Sequence, residues 1–429
     1  MKKYVIIGNS AAGVGAVEGI RQADKKGDIT IISNEAHHTY SRPLISYFLL
    51  GKVSEEGMRY RGGNFYADNE CTLLSNVTVT QIDAAAKKTV LSNGKNLPFD
   101  KLLVATGSLP FVPPFEGLNT VKDKCTFMSL DDAKKLDSML EKNKRVLIIG
   151  AGLIGLKCAE GIHQRVKHIT VVDIAQRILP SILDEDGAKM VQAHLESKGV
   201  EFKLAANVKK FENNKAVFEN GETVDFDILV LAVGVRPNTA LLNGIAKIER
   251  GIVINEKSET STADIYAAGD CTQTNDVSSG QSKIMALLPN AYMQGECAGI
   301  NMAGGGAVGD KVSGENDSCD GVDGGARFNK AIPMNAIGFF GLHIITAGNY
   351  SGDVYAQNAK DNYKRLFYSD NKLNGYILIG NVEKAGIYTS LIRERTPLDT
   401  IDFALVCEKP GLMVFTKEAR MVKLGGAQL

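Results

Sequence analysis

Glycines carry the most explicit chemistry in this chain. In GAGLIG, directly after the apolar run VLII, Gly150 permits a tight turn and Gly152 lets the backbone approach a pyrophosphate. Gly155 lets the following helix pack close to the strand, and Leu153 and Ile154 fall in that helix's first turn, whose amides would hold the phosphates. Asp173 closes the next apolar run, ITVVD, where a carboxylate can accept hydrogen bonds from both hydroxyls of an adenosine ribose. That is the chemistry of binding a dinucleotide.

The same arrangement occurs earlier. Tyr4 to Ile20 (YVIIGNSAAGVGAVEGI) aligns without a gap with Val146 to Ile162 (VLIIGAGLIGLKCAEGI). In the first copy the turn is Gly8, Asn9, Ser10, Ala11, Ala12, Gly13, with Ser10 where the middle glycine would stand. Its second strand, ITIIS, ends at Ser33, so Glu35 two residues later is the expected ribose partner. A further pair, LLVATGSLP (Leu102 to Pro110) and LVLAVGVRP (Leu229 to Pro237), shares an apolar strand ending in A-x-G before a proline. Each copy therefore reads as a strand, a turn, a helix and a second strand, with a later strand returning to the same sheet. Ala105, Thr106 and Gly107 end the first returning strand, and Val233 and Gly234 end the second.

Composition bounds the rest. With 429 residues, 44% of them hydrophobic, the chain can fill several cores. Forty-nine basic against forty-nine acidic side chains leave no excess positive charge for nucleic acid. Apolar stretches are broken well short of the roughly 18 residues of a membrane span, so a soluble, cytoplasmic protein is expected. Seven cysteines without a CxxC or CxxxxC pair fit neither a disulfide framework nor a zinc site, and Cys125, Cys158, Cys271, Cys297 and Cys407 read as small core residues. Gly304 to Phe328 is rich in glycine and aspartate and reads as a mobile surface loop without calcium-loop spacing.

Taken with ATGS (Ala105 to Ser108) and IYAAGD (Ile265 to Asp270), the two glycine turns resemble the FAD- and pyridine-nucleotide-dependent disulfide reductase superfamily over residues 1 to about 300. The resemblance implies an α/β fold with two Rossmann-like domains of the glutathione-reductase type and an α+β C-terminal domain of strands and one helix. The implied limits are 1–115 with 239–328 for FAD, 116–238 for NAD, and 329–429 for the C-terminal domain, which in the superfamily covers the flavin edge and often forms a homodimer. It further implies that Asp270 meets the ribityl chain of FAD, that Gly269 approaches the flavin pyrophosphate, and that Val79 belongs to the FAD surface. Pro289, Asn290 and Ala291, at the head of a helix, would face the pyrimidine ring. Ile154 would shape the nicotinamide pocket.

The chain departs from the disulfide-reducing members. In YSRPLISYFLLGK (Tyr40 to Lys52), Pro43 falls where the single-cysteine branch has its cysteine. YSRP instead resembles the rubredoxin and ferredoxin reductases and the amino-terminal half of nitrite reductase large subunits, in which the arginine matching Arg42 contacts FAD. A lysine near the flavin in ferredoxin reductases falls at Tyr47, and a glutamate usual on the nicotinamide side falls at Lys157. Tyr47 and Lys157 are thus the candidate catalytic side chains. The implied activity is transfer from NADH, with NADPH disfavoured by Asp173, to FAD and on to a small iron–sulfur carrier such as rubredoxin or ferredoxin. An NADH oxidase reducing oxygen or peroxide, and a redox-sensing or assembly flavoprotein, stay open as alternatives.

Overall fold

The computed structural model describes residues 1–305, 325–359, 362–417 and 420–421. Most of the glycine- and aspartate-rich run expected to be a surface loop, with Cys319 inside it, lies outside the described residues.

Two parallel five-stranded sheets are built to one plan. In the first, Ile265–Ala267, Lys101–Val104, Lys3–Ile7, Asp28–Ile32 and Cys71–Leu74 lie side by side in that order. In the second the order is Val200–Lys203, His168–Val172, Arg145–Ile149, Ile228–Leu231 and Lys124–Thr126. Past the leading Lys3 and Arg145, the central strands are apolar and buried because helices or meanders cover both faces. Each sheet carries a three-stranded antiparallel meander, Val79–Asp83 with Lys88–Leu91 and Asn96–Pro98, and Val208–Glu212 with Lys215–Phe218 and Thr223–Asp225. Even the irregularity in register falls at the same place, Val79/Gln81 and Val208/Lys210. The chain passes between the two units along paired strands, Ser108–Pro110 antiparallel to Val235–Pro237.

Backbone contacts at the turns explain the glycines. Gly8 and Gly150 have φ of +121° and +115°, and a Cβ on either would lie 2.1 Å from the Ala105 carbonyl oxygen or 2.2 Å from that of Ala232. A Cβ on Gly13 or Gly155 would meet the carbonyl oxygen of Gly8 or Gly150 at 2.1 or 2.0 Å. Any side chain there must push the strand and helix apart.

The helix after the first turn, Ala11–Ala23, crosses Leu288–Met302 with no room to spare. A Cβ on Gly15 or Gly19 would come within 2.3 Å of the carbonyl oxygens of Tyr292 and Glu296. Reciprocally, one on Gly295 or Gly299 would lie 2.0 or 2.2 Å from those of Ala12 and Ala16.

The C-terminal sheet is antiparallel, in the order Met334–Phe339, Leu342–Gly348, Lys372–Ile379, Asn362–Ser369 and Asp353–Ala359. One face packs on helix Ala385–Arg393 through Tyr376, Leu378, Tyr388 and Leu391. The other shares a core with the second parallel-sheet unit, where Phe339, Ile344, Phe367 and Ile377 join Leu156, Ala188 and Val191. A second, short helix, Phe403–Glu408, adds to the single helix expected; six residues are too few for periodicity to declare.

Gly295→Ala should lower stability by roughly 1–3 kcal/mol, the usual cost of forcing a group into a filled space. Thermal unfolding of the variant at an unchanged midpoint would show that the crossing is looser than these contacts require.

Candidate functional site

The heads of the two helices that follow the glycine turns, and of the helix beside Gly269, are left open. Ala11–Ala23, Leu153–Ile162 and Leu288–Met302 begin at Ser10, Gly152 and Leu287 with no side-chain cap and no acid in the first turn. By contrast, Leu130–Met139 is closed by a Ser129/Asp132 capping box, and Glu185–Glu196 is capped by Asp184 with two further acids behind it. Uncapped amides and the positive end of the helix dipole suit an anion, whereas the capped ends are already satisfied. A Cβ on Gly152 would meet nothing within 4 Å, so that turn faces open space, as do Gly107 and Gly234.

Around the first turn the sequence candidates converge. The Glu35 carboxylate accepts from Arg42 Nη2 at 2.5 Å and from the Tyr40 hydroxyl at 2.6 Å. Tyr40 in turn accepts the Leu130 amide at 3.0 Å, and Arg42 Nη1 donates to the Met128 carbonyl at 3.2 Å. Burial alone would lower the Arg42 guanidinium, but the Tyr40, Glu35 and Asp270 groups around it hold it above its usual value. Asp270 receives the Ser108 hydroxyl at 3.2 Å, and burial pushes its carboxyl up against the opposing pull of Ser108 and Arg42. Gly269, with φ +83°, lies against Ala12 and Ala291, joining the strand end to both helix heads.

Tyr40, Asn9, Thr39, Tyr66 and Ser108 escaped the sequence reading. The Tyr66 hydroxyl accepts the Thr39 amide and donates to Asn9 Oδ1, each at 3.0 Å, beside the turn. Thr39 Oγ1 and His38 Nε2 are buried without a hydrogen-bond partner. Tyr40 could have been found from its place in YSRP; nothing in the local pattern marks Tyr66.

At the second turn Asp173 does more than expected. Its Oδ2 accepts the Ala151 amide at 2.7 Å and its Oδ1 the Ala175 amide at 2.8 Å, so it closes the turn while keeping lone pairs for further donors. Arg177 has a buried, unpartnered Nε and reaches the Pro180 carbonyl at 3.5 Å. Leu153 and Ile154 are half-buried in the first helical turn.

Elsewhere the candidates are more dispersed. Pro43 is exposed. Val79 packs in the core with Ile7 and Ile32, leaving only its backbone to face a ligand. Asn290 is buried and donates to the Ile332 carbonyl at 3.2 Å, while Pro289 is exposed and Ala291 buried beside Gly269. Thr106 and Gly107 are tied to Asn238 by a hydroxyl and a backbone hydrogen bond. Lys157 and Tyr47, far apart in sequence, meet with the ammonium 4.6 Å from the ring centroid.

Burial pushes the thiols of Cys71 and Cys271 up to about 11 and that of Cys125 up to about 12, and it raises Cys158 further. None of these is a nucleophile at neutral pH. Among the described residues no group of three or more His, Cys, Asp or Glu side chains is arranged to hold a metal, and no helix is long and apolar enough to cross a membrane.

The open helix heads, the partnerless Thr39 hydroxyl and the underpartnered Asp270 carboxyl fit a dinucleotide with a polyhydroxyl chain at the first turn; the open face of Gly152 fits a second dinucleotide. Residues 2–295 match the family model described as pyridine nucleotide-disulphide oxidoreductase, and residues 333–396 match that of the rubredoxin NAD+ reductase C-terminal domain. The chain is similar to subunit epsilon of the NADH-dependent phenylglyoxylate dehydrogenase of Aromatoleum evansii, 29% identical over 408 residues and covering 92% of both chains. It is 29% identical over 307 residues to the rubredoxin-NAD(+) reductase of Pseudomonas putida, covering 70% of this chain and 80% of that one. In fold it resembles putidaredoxin reductase in its covalent complex with putidaredoxin, with a TM-score of 0.84, 21% identity, and coverage of 95% of this chain and 96% of that one.

Two substitutions separate turn geometry from ligand contact. Gly150→Ala should unfold or markedly destabilise the second unit, whereas Gly152→Ala should fold normally and weaken pyridine-nucleotide binding by at least about tenfold, a loss of some 1.4 kcal/mol. Equal nucleotide dissociation constants for Gly152→Ala and wild type would show that the pyrophosphate does not lie there. At Asp270, a carboxyl raised in the fold costs stability when ionised and nothing once protonated. Asp270→Asn should therefore raise the thermal midpoint of the cofactor-free protein at neutral pH, and the gain should vanish as pH falls below the usual carboxylate value of 3.8.

Proposed function

The chain belongs to the pyridine nucleotide-disulphide oxidoreductase family, and we propose that within it the protein is an NADH:acceptor oxidoreductase that passes electrons through FAD to a small iron–sulfur protein. The observation that carries this reading is that, among the described residues, no usable thiol lies beside the first turn: an exposed proline, Pro43, holds the position, and burial raises the thiols of Cys71, Cys125, Cys158 and Cys271. The matched C-terminal model and the carrier-bound fold relative point the same way for the acceptor.

FAD supplies the ability to take an electron pair and release it singly; the side chains bind, orient and exclude water. In this reading the amides after Ser10 take the FAD pyrophosphate, Glu35 the adenosine ribose, and Asp270 with Ser108 the ribityl hydroxyls. Arg42, already held cationic by Glu35, balances phosphate charge. The head of Leu288–Met302, uncapped, would present its positive dipole end to the flavin. The Gly150–Gly155 turn takes the NADH pyrophosphate, with Leu153 and Ile154 against the nicotinamide and Val233 and Gly234 across the crevice.

Asp173 favours NADH. A 2′-phosphate about 4 Å from its carboxylate would cost on the order of 4 kcal/mol at the effective dielectric of a partly desolvated cleft. Arg177 would have to reorder its side chain to offset that.

Stopped-flow mixing of the FAD-loaded protein with stoichiometric NADH, then with rubredoxin, ferredoxin or oxygen, tests the reading. Reoxidation by an iron–sulfur protein should outrun that by oxygen; fastest reoxidation by oxygen would make the protein an oxidase, and a protein that takes up no FAD would end the proposal. Steady-state kcat/KM should favour NADH over NADPH at least about tenfold. Asp173→Asn, which retains an acceptor for one turn amide, should narrow that ratio, and an unchanged ratio would remove Asp173 from the specificity.

A further inference from the structure

Lys157 is where the three parts of the molecule touch. It sits in the second turn of Leu153–Ile162, beyond the nucleotide turn, with its side chain 14% exposed. Its ammonium pairs with Glu160 on the same helix, donates to the Gly338 carbonyl of the C-terminal sheet at 3.1 Å, and lies over the ring of Tyr47. Tyr47 belongs to Ile45–Leu49, the short helix that follows Arg42 and Pro43 beside the first turn. Glu160, with its side chain 8% exposed, accepts the Phe340 amide at 2.7 Å through its other oxygen. Phe340 and Gly341 form the tip of the hairpin between Met334–Phe339 and Leu342–Gly348, with φ of +49° and +88°. His163 meets the Phe340 ring edge-on at 4.6 Å, and His194 contacts the Phe339 carbonyl at 3.1 Å, completing the clasp.

We propose that Lys157 is a positioning residue that fastens the pyridine-nucleotide unit to the Tyr47 helix and to the C-terminal hairpin, holding the crevice between the two nucleotide turns at its working width. This rests on the NADH:acceptor reading above. Lys157 is not a proton donor in this role, because its three N–H directions are spent on Glu160, the Gly338 carbonyl and the Tyr47 face. A nucleotide that must bridge two units binds with an apparent affinity reduced by the fraction of molecules holding them together. Removing the fastening should therefore raise KM for NADH and leave the chemical step, once both are bound, nearly as fast.

The test uses FAD-loaded protein with ferricyanide as acceptor. Lys157→Met should keep its flavin, raise KM for NADH about tenfold and change kcat less than about twofold. Lys157→Arg should stay near wild type. Tyr47→Leu should raise KM in the same direction, and the Lys157→Met/Tyr47→Leu pair should raise it less than the product of the single effects, since both remove one contact. Hydrogen exchange gives a readout independent of turnover: the Phe340 amide should exchange faster in Lys157→Met and not in Lys157→Arg. Unchanged KM and unchanged Phe340 exchange in folded Lys157→Met overturn the proposal, as do fully multiplicative single effects. If Lys157→Met does not fold, Tyr47→Leu carries the KM test alone, and wild-type KM in that variant overturns it. A wild-type protein that does not oxidise NADH defeats the functional reading instead, while Phe340 exchange still reports whether Lys157 holds the hairpin.

Discussion

The distance between two helix axes governs the first nucleotide site. Ala11–Ala23 and Leu288–Met302 are far apart in sequence, yet their glycines bring backbone against backbone, with no side-chain layer between Gly15 and Tyr292 or between Gly295 and Ala12. This close crossing costs conformational entropy in the unfolded chain, since each helical glycine is worth roughly 0.5–1 kcal/mol against alanine. What it secures is geometry: both uncapped helix heads converge on Gly269, so two positive dipole ends and the Asp270 carboxyl occupy one small region. Larger residues at the crossing would leave each helix intact and still separate the groups that must act together.

The second unit repeats the strand and turn geometry without that crossing. Gly150 and Gly155 reproduce the contacts of Gly8 and Gly13 to within 0.1 Å, yet the polar groups differ. Asp173 binds the turn's own amides, so its orientation is set before any ligand arrives. Glu35 instead is oriented by Tyr40 and Arg42, which also grip Met128 and Leu130 at the start of the helix Leu130–Met139. One carboxylate is therefore fixed by backbone amides, and the other by side chains that are themselves anchored on a distant segment. Breaking a half-buried pair such as Glu35–Arg42 would disturb two places at once, because an uncompensated charge left in a protein interior typically costs about 3–5 kcal/mol.

These differences separate what was legible in the sequence from what was not. The duplicated turns were legible because the pattern repeats at fixed spacing; Gly13 and Gly155 are crowded from within their own turns, whereas Gly8 and Gly150 are crowded by the returning strands at Ala105 and Ala232. Arg42, Glu35 and Asp270 could be singled out by motif, but not the long-range contacts around them, since Tyr40–Leu130 and Ser108–Asp270 join residues 90 and 162 positions apart. The contact of Asn290 with the Ile332 carbonyl was likewise not legible, because the two lie in separate segments. The C-terminal strands were expected from the resemblance, while the hairpin tip that docks on Glu160 could not be read, because its partner lies in another unit.

Lys157 and Tyr47 illustrate how such contacts change the meaning of a residue. Taken singly, each departs from the resembling reductases: a cation replaces an acid, and an aromatic ring replaces a cation. In contact, they place one ammonium at the boundary between the units, supplied from the opposite side and balanced by Glu160 on its own helix. A guanidinium or ammonium over a ring is worth about 0.5–2 kcal/mol, growing as water is excluded, and Lys157 is largely enclosed. The ring tolerates sliding better than a carboxylate would, since its face is broad and its attraction weakly directional. The Glu160 pair and the Gly338 carbonyl then set the angle of the ammonium, and the same Glu160 carboxylate holds the hairpin tip through the Phe340 amide.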